Sequence, residues 1–268
     1  MARLVDWKIG IFMDRSTGTI RPDEDRDVAP PVIGRTGGER SVFARGRTLP
    51  QPKLDLPRSF LRNQRLQAEG STFLGKLPAA RFPLVFFDPQ YRGVLDHQAY
   101  GNEGERQRAR AKLPQMNDAE IGGFFYEIDR VLMKSGHLLL WTDKFHLCMG
   151  LGPWIEGTEL EIVDLIVWNK LRMGMGYRSR RVSEYLVVMQ KAPRRAKGVW
   201  GAHDIPDVWD EKATIVGPHA KPVGLQARLI ESLTNPGDMV IDPAAGSFTV
   251  LAACEQTGRD FLGCDIAG

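Results

Sequence analysis

Cysteine is scarce in this chain: Cys148, Cys254 and Cys264 are the only three in 268 residues. Their spacing fits neither a zinc site nor a disulfide framework, so no metal centre and no stapled small domain is expected. Cys254 and Cys264 stand among apolar neighbours and read as packed thiols. No apolar run is long enough to span a bilayer, and no signal peptide opens the chain, which points away from membranes and towards a reducing cytoplasm. Internal repeats at solenoid periods are lacking as well. Net charge is small, at +3. That excludes a uniformly basic surface but not local basic patches.

What is present is a core. Hydrophobic residues make up 43% of the chain, too many for wholesale disorder. Residues 1–58 read as an amino-terminal arm rich in Arg, Pro, Gly and Asp, with a hairpin around Asp14 to Gly18. Three roles are open to the arm: packing on the core, binding DNA or staying mobile. From residue 59 to 268 the pattern becomes regular. Leu84 to Phe87 forms a buried strand, and the polar stretch 92–116 reads as a mobile loop. Asn117 with Glu120 makes a capping box for a helix carrying Ile121, Phe124, Phe125, Ile128 and Leu132 on one face, stopped by Gly136. Leu138 to Trp141, Ile162 to Trp168 and Tyr185 to Met189 follow as strands. Pro222 opens another helix, Met239 to Ile241 is a strand, Ser247 to Gln256 a helix closed by Gly258, and Phe261 to Cys264 a last strand. Strands alternating with helices predict an α/β fold with a mostly parallel, twisted sheet covered on both faces.

Two strand ends carry chemistry. Asp88-Pro89-Gln90-Tyr91 follows the first buried strand, and Asp242-Pro243-Ala244-Ala245-Gly246-Ser247 follows a later one. Open α/β sheets bind ligands at such carboxyl ends. The second turn has a single glycine rather than G-x-G-x-x-G, so a pyrophosphate clamp is not expected and a nucleoside cofactor without phosphates fits better. Asp265 ends the next strand, at the separation expected of an acid that binds ribose hydroxyls.

These motifs, with His219-Ala220-Lys221-Pro222, Pro236-Gly237-Asp238 and Gly258-Arg259, resemble the S-adenosylmethionine-binding block of the β-class DNA amino-methyltransferases. Asp88 to Tyr91 is similar to the catalytic Asp-Pro-Pro-Tyr motif of that class, and here too it precedes the cofactor motif. Gly70 to Pro78 and Gly174 to Glu184 match intervening blocks, so the resemblance runs from about residue 68 to the end. It implies a Rossmann-like methyltransferase fold with permuted motif order, S-adenosyl-L-methionine as cofactor, and double-stranded DNA as partner. It also implies roles. Asp88 and the Pro89 carbonyl would accept the two hydrogens of an exocyclic amine, making its lone pair available, while Tyr91 stacks on the flipped base. Asp242, Pro243, Ala244, Gly246 and Ser247 would hold the methionine part, Asp265 the ribose, and Lys221 with Pro222 would lie beside the cofactor carboxylate. His219 would orient that turn. Arg178, Arg180 and Arg181 would contact phosphates. Residues 191–218 would be a short target-recognition segment.

The class includes adenine-N6 and cytosine-N4 enzymes. Asp88 favours adenine, since Ser is commoner there in relatives that modify cytosine. Gln90 in place of a second proline, Ala244 in place of a common Phe and Phe248 in place of a common Gly leave open a relative that binds DNA or cofactor without catalysis. A homodimer and a cognate restriction endonuclease are the protein partners the resemblance implies, in a bacterial or phage setting. The chain stops three residues after Asp265, earlier than many relatives, as a truncated protein would.

Overall fold

The strand that organises this molecule is Phe-Pro-Leu-Val-Phe-Phe, six residues buried on both faces. Such a continuous apolar run suits only the middle of a covered parallel sheet. The computed structural model describes residues 49–56, 60–90, 115–174, 178–212 and 220–267. The expected hairpin near Asp14, most of the 92–116 loop, Tyr91 and His219 lie outside the described residues.

In chain order the elements are β1 (Arg65–Gln67), α1 (Gly70–Gly75), β2 (Phe82–Phe87), α2 (Asp118–Val131), β3 (Leu132–Thr142), α3 (Lys144–Met149), α4 (Gly152–Ile155), β4 (Leu160–Asn169), β5 (Ser183–Lys191), β6 (Val208–Asp210), α5 (Val223–Leu233), β7 (Met239–Asp242), α6 (Thr249–Thr257) and β8 (Asp260–Asp265). Among the described residues, one sheet carries eight strands in the order β1-β8-β7-β2-β3-β5-β4-β6. Of these, β5 runs against the rest, pairing antiparallel with β3 and β4. From β2 the chain proceeds through α2 to β3 on one side, and from β7 through α6 to β8 on the other. The neighbours β2 and β7 therefore flank the point where winding reverses, and their carboxyl ends open a crevice there.

Alternation along the strands divides the core into two layers. Val85, Phe87, Leu138 and Leu140 pack under α1, α2 and α4, with Phe124, Phe125, Ile128 and Trp154. Leu84, Phe86, Leu139 and Trp141 pack under α5 and α6, with Leu225, Leu229 and Val250. The end of the amino-terminal arm joins the first layer through Leu54 and Leu56, and the Gln51 side chain accepts a hydrogen bond from the Met239 amide. Cys254 and Cys264 are both buried; burial pushes the Cys264 thiol up to about 12. Among the described residues, no helix is long and apolar enough to cross a membrane, and no cluster of side chains could hold a metal ion.

Two helix boundaries depart from the sequence expectation. The Asn117–Glu120 capping box forms as predicted, with both reciprocal hydrogen bonds. The helix nevertheless stops at Val131, before Gly136, because Leu132 already takes an extended backbone and begins β3. Pro83 has no N–H for a sheet ladder, and the β2–β3 register shifts between Phe82 and Leu84. Ser135, at φ +57°, and Gly136 lie opposite this irregularity; a Cβ on Gly136 would come within 2.8 Å of the Met133 carbonyl. At the other site α6 begins at Thr249 rather than Ser247, because Phe248 precedes it in the left-handed region.

Candidate active site

The crevice beside β2 and β7 holds a cavity of about 390 Å³. Asp88 comes from the end of β2, Asp242 from the end of β7, and Asp265 from the end of β8. These three, with Gln90, Lys221, Pro243, Ala244, Gly246 and Ser247, line one wall system. Nine of the residues expected from sequence are thus brought together. Pro89 is buried in the turn, and Pro222 is the N-cap of α5; neither lines the cavity.

Local bonds shape the β7 turn. The Asp242 Oδ1 accepts from the Ala244 amide at 3.1 Å, and the Asp265 Oδ2 accepts from the Gly246 amide at 3.0 Å. The Ala267 amide donates to the other Asp265 oxygen at 2.9 Å. Gly70, at the start of α1, fits against this turn only because it lacks a side chain: a Cβ there would lie 2.3 Å from the Pro243 carbonyl oxygen. Phe248 is held at φ +56° with its ring buried against Phe261 and capped by the Arg65 guanidinium at 5.1 Å. Burial drives the Asp242 carboxyl well above its ordinary pKa, and the nearby Asp88 and Asp265 charges push it the same way.

The centre of the site is a chain of ion pairs. Lys221 Nζ donates to Asp88 Oδ2 at 2.8 Å and to Glu184 Oε2 at 3.0 Å, while Lys170 Nζ reaches Glu184 Oε1 at 3.1 Å. The ammonium of Lys221 also sits 5.2 Å from the centre of the Trp141 ring. Burial disfavours charge on Lys221, yet Asp88 and Glu184 hold its pKa above the usual lysine range. Burial likewise works against the Glu184 carboxylate, but Lys221 and Lys170 outweigh it and hold its pKa at about 2. A carboxyl depressed from 4.5 to about 2 stabilises the fold above its unfolded pKa and loses that contribution as pH falls through this window. The contribution is at most about 3 kcal/mol. Glu184→Gln should therefore be less stable than the parent at pH 6, and the gap in urea midpoint should narrow towards pH 2; a gap independent of pH would refute the assignment.

Lys221, expected beside a cofactor carboxylate, lines the cavity. The start of α5 that follows it is tied to Glu211: the amides of Gly224 and Leu225 both donate to the Glu211 carboxylate at 2.9 Å. Glu211 follows β6, inside the segment expected to recognise the target. The described part of that segment, 191–212, is joined to the sheet, with β6 paired to β4 and the Trp168 indole donating to the Glu211 carbonyl.

Sequence reasoning missed Glu184, Lys170, Trp141, Gln226 and the α1 turn at Glu69 and Gly70. Glu184 could not be placed without knowing that β5 runs backwards, which brings its first residues to the ligand edge. A second cavity of about 430 Å³ adjoins the first, sharing Glu69, Met116, Phe124 and Ile266. Its walls are mainly apolar.

A family model described as DNA methylase, for N6 and N4 methyltransferases, matches residues 83–267. The Type II methyltransferase M.HhaII of Haemophilus parahaemolyticus is 49% identical over 207 residues, covering 76% of this chain and 91% of that protein. A DNA modification methylase of Thermus thermophilus, solved with S-adenosyl-L-methionine, superposes with a TM-score of 0.51 at 21% identity, over 76% of this chain and 89% of that one. The PvuII DNA methyltransferase, cytosine-N4-specific, superposes with a TM-score of 0.54 at 15% identity, over 76% of this chain and 81% of that one. These two likenesses establish the methyltransferase fold, with its mixed, mostly parallel sheet.

Proposed function

Because the chain belongs to the DNA methylase family of N6 and N4 methyltransferases, we propose that it methylates the N6 amino group of adenine in DNA, with S-adenosyl-L-methionine as donor. The observation that carries the adenine reading is Asp88 itself, a carboxylate at the end of β2 held against the Lys221 ammonium. The cofactor supplies a methyl group on a cationic sulfur, open to displacement. The cavity suits such a group: among the described residues, the acids Glu69, Asp88 and Asp265 line it with the buried Asp242, and Lys221 is the one basic residue of the lining. Buried polar atoms at its wall, Trp141 Nε1 and Gln226 Oε1, have no partner among the described residues.

Asp242 to Ser247 would surround the methionine part and Asp265 would bind the ribose, with the adjoining apolar cavity beside Ile266 and Phe124 taking the purine. Asp88 and the Pro89 carbonyl accept the two N–H hydrogens of the target amine, which pulls its lone pair out of conjugation and aims it at the crevice. Gln90 fixes that turn through its carbonyl, which accepts from the Met116 amide at 2.7 Å. Tyr91 stacks on the extruded base, and rigid placement of amine and donor supplies much of the rate enhancement. Arg178 and Arg180 are exposed and Arg181 half-buried, on the connection between β4 and β5. As phosphate contacts they set salt dependence: replacing Arg178 and Arg180 by Ala should reduce the slope of log affinity against log salt by about 2. A slope equal to the parent's would remove them from the interface.

A DNA substrate places the enzyme with a bacterial chromosome in the cytoplasm. A homodimer, and an endonuclease reading the same sequence, would be its protein counterparts. The deciding experiment incubates unmethylated DNA with labelled cofactor, digests to nucleosides and identifies the labelled base. Label in N6-methyladenine is expected. Label in N4-methylcytosine would transfer the same geometry to cytosine, and no label with cofactor binding intact would leave a non-catalytic binding protein.

A further inference from the structure

The connection between β4 and β5 is a hairpin that the ion-pair chain ties to the active site. Its arms, 170–174 and 178–182, are joined by the Lys170 amide donating to the Val182 carbonyl at 2.9 Å and the Gly174 amide to the Arg181 carbonyl at 2.7 Å. Lys170 stands at its base and bonds Glu184, which bonds Lys221, which bonds Asp88. The other arm leans on α3, the short helix that follows β3. Ser179 accepts from Lys144 at 3.1 Å, and the Arg181 guanidinium lies over the Phe145 ring.

This hairpin puts apolar side chains into solvent. Met173 is 70% exposed and Leu171 47%. Leu171 also holds φ +52°, a left-handed conformation that a leucine takes only at a cost and that marks functional loops. Around these two residues the stretch 170–182 contains five basic residues and no acidic one. Apolar side chains within a cationic frame fit the interior of a nucleic-acid duplex, with the frame on the phosphates and the apolar pair between bases.

Resting on the DNA methylation reading above, we propose that Leu171 and Met173 are a wedge that enters the duplex beside the target and fills the space its base leaves. Extruding a base costs unstacking and unpairing, and a side chain in the vacated gap offsets part of that cost. The wedge thus favours the flipped state, while the arginines hold the backbone and Asp88 receives the amine.

The test compares the full chain with a Leu171→Gly, Met173→Ala variant. Glycine accepts φ +52° without strain, so the hairpin backbone should persist, and unchanged cofactor affinity and melting temperature report an intact fold. Affinity is measured by fluorescence anisotropy for an intact duplex and for the same duplex with one abasic site, which needs no known recognition sequence. The parent is expected to prefer the abasic duplex by about tenfold, and the variant by less than about threefold. Equal preference in both proteins, or none in the parent, would overturn the wedge. Transfer of labelled methyl groups is followed in parallel: absence of label from the parent would overturn the methylation reading, while the abasic preference still decides the wedge.

Discussion

Asp88→Asn is expected to lower the turnover of methyl transfer about 1,000-fold while leaving cofactor affinity within a few-fold of the parent. The substitution keeps the shape of the side chain but removes its charge and turns one acceptor oxygen into a donor. An amide offers one acceptor, and its NH2 group opposes the hydrogens of the incoming amine, so the lone pair stays delocalised in the ring. Lys221 would lose one of its two anions but keep Glu184, at 3.0 Å, so the wall of the cavity should hold. Labelled-methyl incorporation and calorimetric titration of the cofactor give the two readouts. Retention of more than about a tenth of the parent activity would remove Asp88 from the chemistry. Persistent label in methyladenine from Asp88→Ala would do the same.

Lys221→Met should be nearly as severe, and it adds a cost in stability. Its ammonium is shared between Asp88 and Glu184 in a place only 12% exposed. Without it two carboxylates face each other near the buried Asp242, and one must take up a proton or swing away. Turnover is expected to fall about 100-fold and the free energy of unfolding by about 3 kcal/mol. A second change separates the two effects. Replacing Glu184 by Leu in the Lys221→Met background removes the repulsion, so urea denaturation should show stability recovering by more than half. Activity should not recover, because Asp88 still lacks its cation. If turnover returned with stability, the lysine would be scaffolding alone.

The parts of the fold legible in sequence were those with strong local signals. Leu84 to Phe87 announces a buried strand by unbroken hydrophobicity, though the strand begins two residues earlier, and Asn117 with Glu120 announces a helix start by reciprocal side-chain bonds. Asp88, Asp242 and Asp265 could be grouped because each ends a strand in a parallel arrangement. Other features depend on partners distant in the chain. β1 and β6 are three residues each and exist because a neighbouring strand receives them. Gly136 suggested a helix end, but the sheet irregularity opposite Pro83 claims it. Glu211 anchors the start of α5 from a different element, which no pattern within that helix could reveal. Glu184 depends on strand direction, set by the whole sheet.

The placement of β2 also bears on how the chain comes together during synthesis. One of its edges is covered early, by β3, which begins where α2 ends. The other edge waits for β7, roughly 150 residues further along the chain. Until β7 leaves the ribosome, this wholly apolar strand has an open ladder next to Asp88. That intermediate is a template for pairing with other chains, and a holdase that binds extended apolar segments would find its site there. Premature termination within α5 would leave it in that state permanently, so such fragments should aggregate rather than persist as soluble pieces of enzyme.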